Sequence, residues 1–426
     1  MSEDKSVLSI NGGPKAVQTA VGDIFDWPII TEEDEQAALE VLRAGSMSGT
    51  DVTKQFEKEF AEWHGIEFAL GHSSGTAALL AAMFGCGMGV GDEIICQSMT
   101  YWASAMPAFQ LGSTVVFSEL CKDNLTLDPA DIEHRITDRT KAIMAVHYGG
   151  YPSDMDPIME IAERHNLKVI EDVSHAQGGL YKGKLTGTIG HVGAMSLMSG
   201  KSLASGEGGI LITNDREIYE RSISFGHYDR TKTDITIPYL QELAGLPLGG
   251  VKHRVHQVSS AVARVQLRHY KDRMSEIQRA MNYFCDLIDE APGLSGHRPP
   301  GPDSTCAGWY GGRSMYTPED LHGLPADKFC EAVRAEGARC NSGGNFLLHL
   351  HPFFNEADVY GHGKPTRIAN SDRDLRQPEG SLPVTEASPG RSMSIPWFKH
   401  YRPEIIEEHA EAFVKVANHA DEVPRG

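Results

Sequence analysis

One lysine stands alone in a run of small residues, Ser196-Leu-Met-Ser-Gly-Lys201-Ser-Leu-Ala-Ser-Gly-Glu-Gly-Gly209. Such a loop lets a bulky planar group reach the amine. A lysine taken out of water shifts toward its neutral, nucleophilic form, the form used for Schiff bases. Upstream, the stretch KVIEDVSHAQGG at 168–179 puts Asp172 at the end of an apolar run and His175 three residues later. A carboxylate at that depth is costly unless it meets a cation. Earlier still, His72-Ser73-Ser74-Gly75-Thr76 opens the helical pattern TAALLAAMF. Small residues at a helix N-terminus expose backbone N–H groups, and the macrodipole there favours a phosphate. By itself this segment is also an ordinary N-cap.

In an open parallel sheet, ligands bind beyond the carboxyl ends of the strands, where all three features fall. Phosphate cradle, acidic strand end and reactive amine are the three handles that pyridoxal 5′-phosphate requires. Ser74, Gly75 and Thr76 would hold the phosphate. Asp172 would keep the pyridine nitrogen protonated, and Lys201 would form the covalent link. Tyr101, just past the run EIICQSM, is placed to stack on the outer face of the ring.

These residues need a scaffold, and its elements are readable between about 66 and 215. Short β-branched runs alternate there with amphipathic segments, the pattern of a mostly parallel sheet covered by helices. The expected strands are Phe68–Gly71, Glu93–Cys96, Thr114–Phe117, Ala142–His147, Lys168–Glu171, Ala194–Leu197 and Gly209–Thr213. Helices are expected at Thr76–Phe84 and Pro157–His165, the latter with Asp154 and Asp156 as N-terminal charge. Two more, Thr31–Ala44 and Val52–Trp63, precede the sheet and should lie on its outside; the first opens with an acidic capping signal. A stripe through Val258, Val262, Val265, Met274, Ile277, Met281, Phe284 and Ile288 marks a long helix over about 256–290, ended by Ala-Pro-Gly. The expected division is an N-terminal segment plus large cofactor-binding α/β domain at 1–270, and a smaller α+β domain at 271–426, bridged by that helix. Helical stretches at Ala326–Glu336 and Pro403–Ala420 belong to the second.

Composition narrows the partners. The chain has 426 residues, enough for two or three domains with a large core. With 58 acidic against 39 basic residues, its net charge of −19 opposes binding to nucleic acid or to an anionic membrane. Seven scattered cysteines, none in a C-x-x-C pair, indicate thiols rather than a disulfide framework or zinc knuckle. The acidic opening MSEDKSVLSINGGP has no apolar core of a signal peptide, and no run approaches the ~18 apolar residues of a membrane span. The expectation is a soluble cytoplasmic protein.

At these residues the sequence resembles the DegT/StrS-type sugar aminotransferases. The ordered series is F-E-x-E-F-A at 56–61, S-S-G-T-A-A-L at 73–79, T-Y at 100–101, V-H-Y-G-G at 146–150, E-D-V-S-H-A-Q-G at 171–178 and G-K-S-L-A-S-G-E-G-G at 200–209. The resemblance implies the type I (aspartate aminotransferase) fold with a seven-stranded sheet domain. It makes Lys201 the Schiff-base lysine and general acid/base, Asp172 the pyridinium partner, and Tyr101 the stacking aromatic. Gly75, Thr76 and Ser196 would bind phosphate, with His175 near cofactor or substrate. It also implies a homodimer whose active sites are completed by the second subunit. Many relatives carry N-x-R-M before the long helix, its Asn reaching the partner's cofactor phosphate; here Lys252-His253-Arg254-Val255 stands in its place. Lys252 is positioned to supply a charged contact instead.

INGGPKAV near the N-terminus, K-H-R-x-H, GHGKPTRIANSDRDL and SIPWFKHYRPE look most like the cyclitol branch, glutamine:scyllo-inosose aminotransferases of aminocyclitol antibiotic pathways. The resemblance thus implies L-glutamine or L-glutamate as donor and a keto-cyclitol as acceptor. A neighbouring branch acts on nucleotide-linked keto-sugars with the same catalytic residues. Relatives that dehydrate deoxysugars replace the lysine with His, so Lys201 favours transamination, and the acidic charge disfavours a regulator that binds DNA. Gly87-Met-Gly-Val-Gly-Asp92 follows a helix and precedes a strand, the reverse of a dinucleotide loop, and reads as a connection. His349, His351 and His362, with Glu356 and Asp358, lack the tight spacing of a zinc site. No metal is expected, and those histidines read as structural or substrate-lining.

Overall fold

The computed structural model describes residues 7–425, so the acidic opening at 1–6 lies outside the described residues. The seven apolar runs form β1 (Phe68–His72), β2 (Glu93–Gln97), β3 (Thr114–Ser118), β4 (Thr140–Val146), β5 (Lys168–Asp172), β6 (Val192–Ser196) and β7 (Gly209–Thr213). They make one sheet in the order β1-β7-β6-β5-β4-β2-β3. β7 runs antiparallel to both β1 and β6, while β2–β6 pair parallel along the rest of the sheet. The register sets one functional edge: Gly209 stands opposite His72 on one side and Ser196 on the other, and Asp172 is level with Val146. The ends of β1, β5 and β6 and the start of β7 therefore meet along a single rim.

The helix Gly75–Gly85 is apolar all round and buried along most of its length. Its alanines let it sit against the sheet while the helix Arg216–Gly226 packs beside it in the same core. The opposite face is covered by Phe56 and Phe60 of the helix Asp51–His64 and by Ala263, Leu267 and Tyr270 of the long helix. Met155, Ile158, Ile161 and Ala162 of the helix Met155–His165 extend that cover. Phe56 and Phe60 are each 1% exposed, and truncating either to Ala would cost about 3–5 kcal/mol. The helix Glu32–Arg43 starts as its sequence implied, with the Thr31 amide and hydroxyl both donating to the Asp34 carboxylate.

The long helix spans Gln257–Ile288 and passes without interruption through residue 270. Up to Tyr270 the buried residues are Gln257, Ser260, Ala261, Ala263, Val265, Gln266, Leu267 and Tyr270, whereas Val258, Val262 and Met274 of the expected stripe are only part-buried. The buried face there is thus set by Ala261, Val265 and Leu267, rotated from the stripe that the valines alone suggested. In its second half, Ile277, Met281, Phe284 and Ile288 join a second core with the helices Ala326–Ala335 and Pro403–Asn418. Beside that core lies a four-stranded antiparallel sheet of β8 (Leu294–Gly296), β9 (Arg313–Tyr316), β10 (Asn341–Ser342) and β11 (Ser392–Ser394), in the order β8-β9-β11-β10.

Two segments cross between these cores. Leu8 and Ile24 bury themselves in the C-terminal core, and the backbone of residues 18 and 19 donates to Glu408 on the last helix. In the other direction, residues 345–390 return to the large sheet and protect its edge strand β3. Arg367 Nε donates to the Val115 carbonyl at 2.9 Å, while Gln377 bonds both the amide and the carbonyl of Phe117, at 3.0 and 2.8 Å. Side chains thus satisfy backbone groups that an open edge would offer to another chain. His349 serves the same packing: buried, its Nδ1 bonds Ser98 Oγ at 2.7 Å and its Nε2 bonds Glu386 at 3.0 Å. Gly87–Asp92 is the connection expected, closed by the Gly89 amide donating to Asp92.

Candidate active site

The loop between β6 and β7 joins adjacent antiparallel strands, so its two ends are pinned side by side. Leu197 and Ser199 donate to Gly208 and Gly206 across it, and the Lys201 amide donates to Met198. Gln177 fills the loop from below: its Nε2 donates to the Ser196 carbonyl, and its Oε1 accepts from the Ser202 hydroxyl and the Leu203 amide. The Trp27 indole donates to the Lys201 carbonyl at 2.8 Å. The lysine is only 7% exposed, and its Nζ lies 3.7 Å from the centroid of the Tyr310 ring. Burial pushes the amine down to about 8, against the opposing pull of the Asp172 charge. A reactive amine near neutral pH follows from the fold itself.

Successive strand residues face opposite sides of a sheet, so Glu171 and Asp172 have separate tasks. Asp172 accepts from the Ser104 hydroxyl at 2.7 Å and from the Ser174 amide at 3.1 Å, with Thr100 in turn 2.9 Å from Ser104. Glu171, on the other face, accepts from His147 Nε2 at 2.9 Å and from the amides of Gly187, Ile189 and Gly190 at 2.6–2.8 Å. Burial alone would raise its pKa; the hydrogen bond and charge of His147, with the amides of Gly190 and Gly187, outweigh that and hold it below the usual carboxylate range.

At the rim, Ser74 caps the helix Gly75–Gly85, its hydroxyl accepting from Ala77. The N–H groups of Gly75 and Thr76, first in that helix, have no acceptor within it. The surrounding backbones are pressed together at glycines: a Cβ on Gly75 would stand 2.7 Å from Ser196 Cβ, and one on Gly209 2.3 Å from the Ser74 carbonyl oxygen. His175 Nδ1 accepts from the Gly149 amide at 3.3 Å, and its ring lies 4.9 Å from that of Tyr310. Burial, then the charges of Lys201 and Arg313, push its pKa well below the usual histidine range. It stands in the site as a neutral ring.

Ser74, Gly75, Thr76, Tyr101, Asp172, His175, Ser196 and Lys201 all line one cavity of about 620 Å³. Lys252 does not: its side chain is exposed, although its neighbour His253 accepts from the Ser73 amide at 2.7 Å and Arg254 bridges His72. Lys252, expected to reach the cofactor phosphate of the partner subunit, thus stands outside the cavity of its own chain. Sequence reasoning missed Tyr148, Tyr310, Arg313 and Asn345, which complete the wall. All but Tyr148 come from Gly-rich stretches without periodicity; the available signal was an arginine heading the apolar run RSMY. The donor set fits pyridoxal phosphate: free amides and hydroxyls for an anion, a fixed carboxylate for a ring N–H, and a neutral amine for an aldehyde.

The chain belongs to the DegT/DnrJ/EryC1/StrS aminotransferase family, whose model matches residues 28–413. It is 32% identical over 321 residues to an L-glutamine:2-deoxy-scyllo-inosose aminotransferase of Streptomyces kanamyceticus, covering 73% of this chain and 74% of that one. It is 33% identical over 263 residues to a GDP-perosamine synthase of Escherichia coli O157:H7, covering 62% and 70% of the two chains. The crystallographic structure of an aminotransferase from Psychrobacter cryohalolentis superposes with a TM-score of 0.80 at 28% identity, over 93% of this chain and 99% of that one. The fold is that of the type I pyridoxal-phosphate-dependent transferases. Among the described residues no helix is long and apolar enough to cross a membrane.

Proposed function

We propose that this pyridoxal-phosphate-dependent aminotransferase moves an amino group from L-glutamine or L-glutamate to a keto-cyclitol such as scyllo-inosose. The observation that carries the reading is the single cavity in which Lys201, Asp172 and the Ser74–Thr76 cradle converge. Likeness to a cyclitol aminotransferase supports the acceptor. Likeness to a GDP-perosamine synthase supports the alternative, a nucleotide-linked keto-sugar.

When bound, the cofactor supplies a ring that takes up the electrons released as the donor loses its α-proton. The chain's own residues do the rest. Ser74, Gly75, Thr76 and Ser196 hold the phosphate, and Asp172 accepts the ring N–H with its orientation set by Ser104 and Ser174. Lys201, neutral in a useful fraction near pH 8, would hold the cofactor through its Nζ and would serve as the acid/base that takes up and returns a proton at that nitrogen. Tyr101, half-exposed at the mouth, covers the ring, and His175 faces cofactor or substrate as a neutral group. In this reading the enzyme is a cytoplasmic homodimer, and Lys252 acts across to the partner's phosphate.

The test is the visible spectrum of the purified protein with pyridoxal phosphate, followed on adding L-glutamine and then scyllo-inosose. The absorbance of the lysine-bound cofactor should fall with the amino acid and return with the ketone. A fall without return would move the acceptor to a nucleotide-linked keto-sugar. Absence of that absorbance would sink the role of Lys201.

A further inference from the structure

Lys201 Nζ lies over the face of Tyr310, 3.7 Å from the ring centroid, and among the described residues it makes no hydrogen bond and no ion pair. Asp172 acts on the amine through its charge, while its own hydrogen bonds go to Ser104 and Ser174. A carboxylate in direct contact would pin a proton to the nitrogen. A ring face presents the negative side of a quadrupole and no lone pair, so it attracts an ammonium without engaging a neutral amine.

The turn that carries the ring is strained. Ala307 and Trp309 have φ of +51° and +55°, left-handed values that are unfavourable for a side chain as large as an indole. Trp309 is sunk in the C-terminal core, and its buried Nε1 has no acceptor among the described residues. Between the two, Gly308 meets the lysine loop so closely that a Cβ would stand 2.2 Å from Ser202 Cβ, and its carbonyl accepts from the Trp397 indole at 2.9 Å. Trp397 in turn stands at 90° to Tyr310 with centroids 5.6 Å apart, an edge-to-face pair that fixes the ring plane. Burial, then the neighbouring Tyr101, raise the Tyr310 phenol above its usual range, so the ring carries no charge of its own. Strain and packing together hold one neutral aromatic face at the reacting nitrogen.

We propose that the face of Tyr310 seats the Lys201 ammonium, which makes Tyr310 a catalytic residue of this enzyme. The inference rests on the aminotransferase reading above and deepens it. Lys201 serves there as acid and base, so Nζ must carry a proton for part of the reaction and be without it for the rest. The ring steadies the nitrogen while the proton is on it and leaves the lone pair free once the proton has gone. The other titratable or charged groups on the cavity wall are Tyr101, Tyr148, Asp172, His175, Glu207 and Arg313. Of these, Asp172 is the one whose field pulls the amine toward its charged form, and none is bonded to Nζ.

The experiment titrates Lys201 by competitive labelling with acetic anhydride, read by mass spectrometry on the peptide that carries it. It is run on the full chain free of cofactor and on the holoenzyme after L-glutamine has freed the lysine, for the wild type, Tyr310→Phe and Tyr310→Leu. Tyr310→Phe keeps the ring face and should titrate with the wild type. Tyr310→Leu should lower the midpoint by about 0.4 to 1.5 pH units, a roughly 3- to 30-fold loss of preference for the charged form. The sign separates the proposal from mere space-filling, because a shortened filler admits water and raises the midpoint. Phenylalanines bearing one, two or three ring fluorines at position 310 keep the shape and weaken the face, so the midpoint should fall step by step even where the Leu variant does not fold. A midpoint raised or unchanged in Tyr310→Leu, or unmoved along the fluorine series, would overturn the proposal. So would an equal fall in Tyr310→Phe, which would place the effect in the hydroxyl. If the cofactor-free titrations follow this pattern but L-glutamine never frees Lys201 in the wild-type holoenzyme, the aminotransferase reading fails and the contact between ring and ammonium stands.

Discussion

Gly209→Ala adds one methyl group at the most crowded point of the cofactor rim. The new Cβ would stand 2.3 Å from the Ser74 carbonyl oxygen, 2.4 Å from its carbon and 2.6 Å from the Gly75 amide nitrogen. Ordinary contact begins near 3.4 Å, so β7 and the start of the helix Gly75–Gly85 must separate by roughly 1 Å. The obstacle is backbone on both sides, with no flexible side-chain end to swing away. A misplacement of about 1 Å costs roughly 100-fold where groups must be held in an exact geometry, and the same scale is taken for the amides aimed at the phosphate. The assay compares equilibrium binding of pyridoxal phosphate with that of pyridoxal, which has no phosphate. In the variant the preference for the phosphorylated form should fall by about 100-fold, while pyridoxal binding through Lys201 changes little. Gly89→Ala, where a Cβ meets nothing within 4 Å, is the matched control. A Gly209→Ala protein with wild-type preference and wild-type melting would refute the cradle as drawn.

Three further outcomes follow from the same geometry. Because burial lowers the Lys201 amine to about 8, the rate of covalent capture of pyridoxal phosphate by cofactor-free protein should climb about tenfold per pH unit up to about 8 and then level off. A climb continuing to pH 10 would contradict the burial argument. Asp172→Asn removes the charge that pulls this amine upward, so the capture profile should shift to lower pH while turnover falls at least about 100-fold; a shift to higher pH would refute the coupling. Arg230→Met leaves the buried Glu57 carboxylate with the Gly71 amide but no cation, and should cost about 3–5 kcal/mol, measured as a lower urea midpoint.

Much of the scaffold was legible because its signals are local. Runs such as Thr-Val-Val-Phe in β3 and Ile-Leu-Ile in β7 fit no element but a buried strand, and all seven strands lie within two residues of their expected ends. The cradle, Asp172 and Lys201 were legible because small residues or a charge interrupt an apolar run at a strand end. Arg313 and Asn345 were not, because nothing in the surrounding Gly-rich stretches tells which backbone will turn toward the large sheet. The crossing segments were hidden for a related reason. Arg367 and Gln377 protect β3 through side-chain bonds to residues about 250 positions away, a contact that no periodicity encodes. Lys252 shows the converse, a residue whose place in a motif is clear while its side chain faces away from the cavity of its own chain.

Trp27, which fastens the Lys201 carbonyl, belongs to an N-terminal stretch whose other anchors lie far downstream in the chain. Ile24 accepts from the Lys399 amide, and residues 18 and 19 bond Glu408. In synthesis this stretch precedes its seats: Glu336, which accepts from the amides of Ser9 and Ala16, comes about 320 residues later, and the helix Pro403–Asn418 roughly 380 residues later. At about 5–20 residues per second it waits on the order of 20 to 80 seconds. The sheet, built from residues 68–213, can form long before that. A nascent chain stalled before that helix would carry the sheet and the lysine loop without the last anchors of the stretch that bears Trp27.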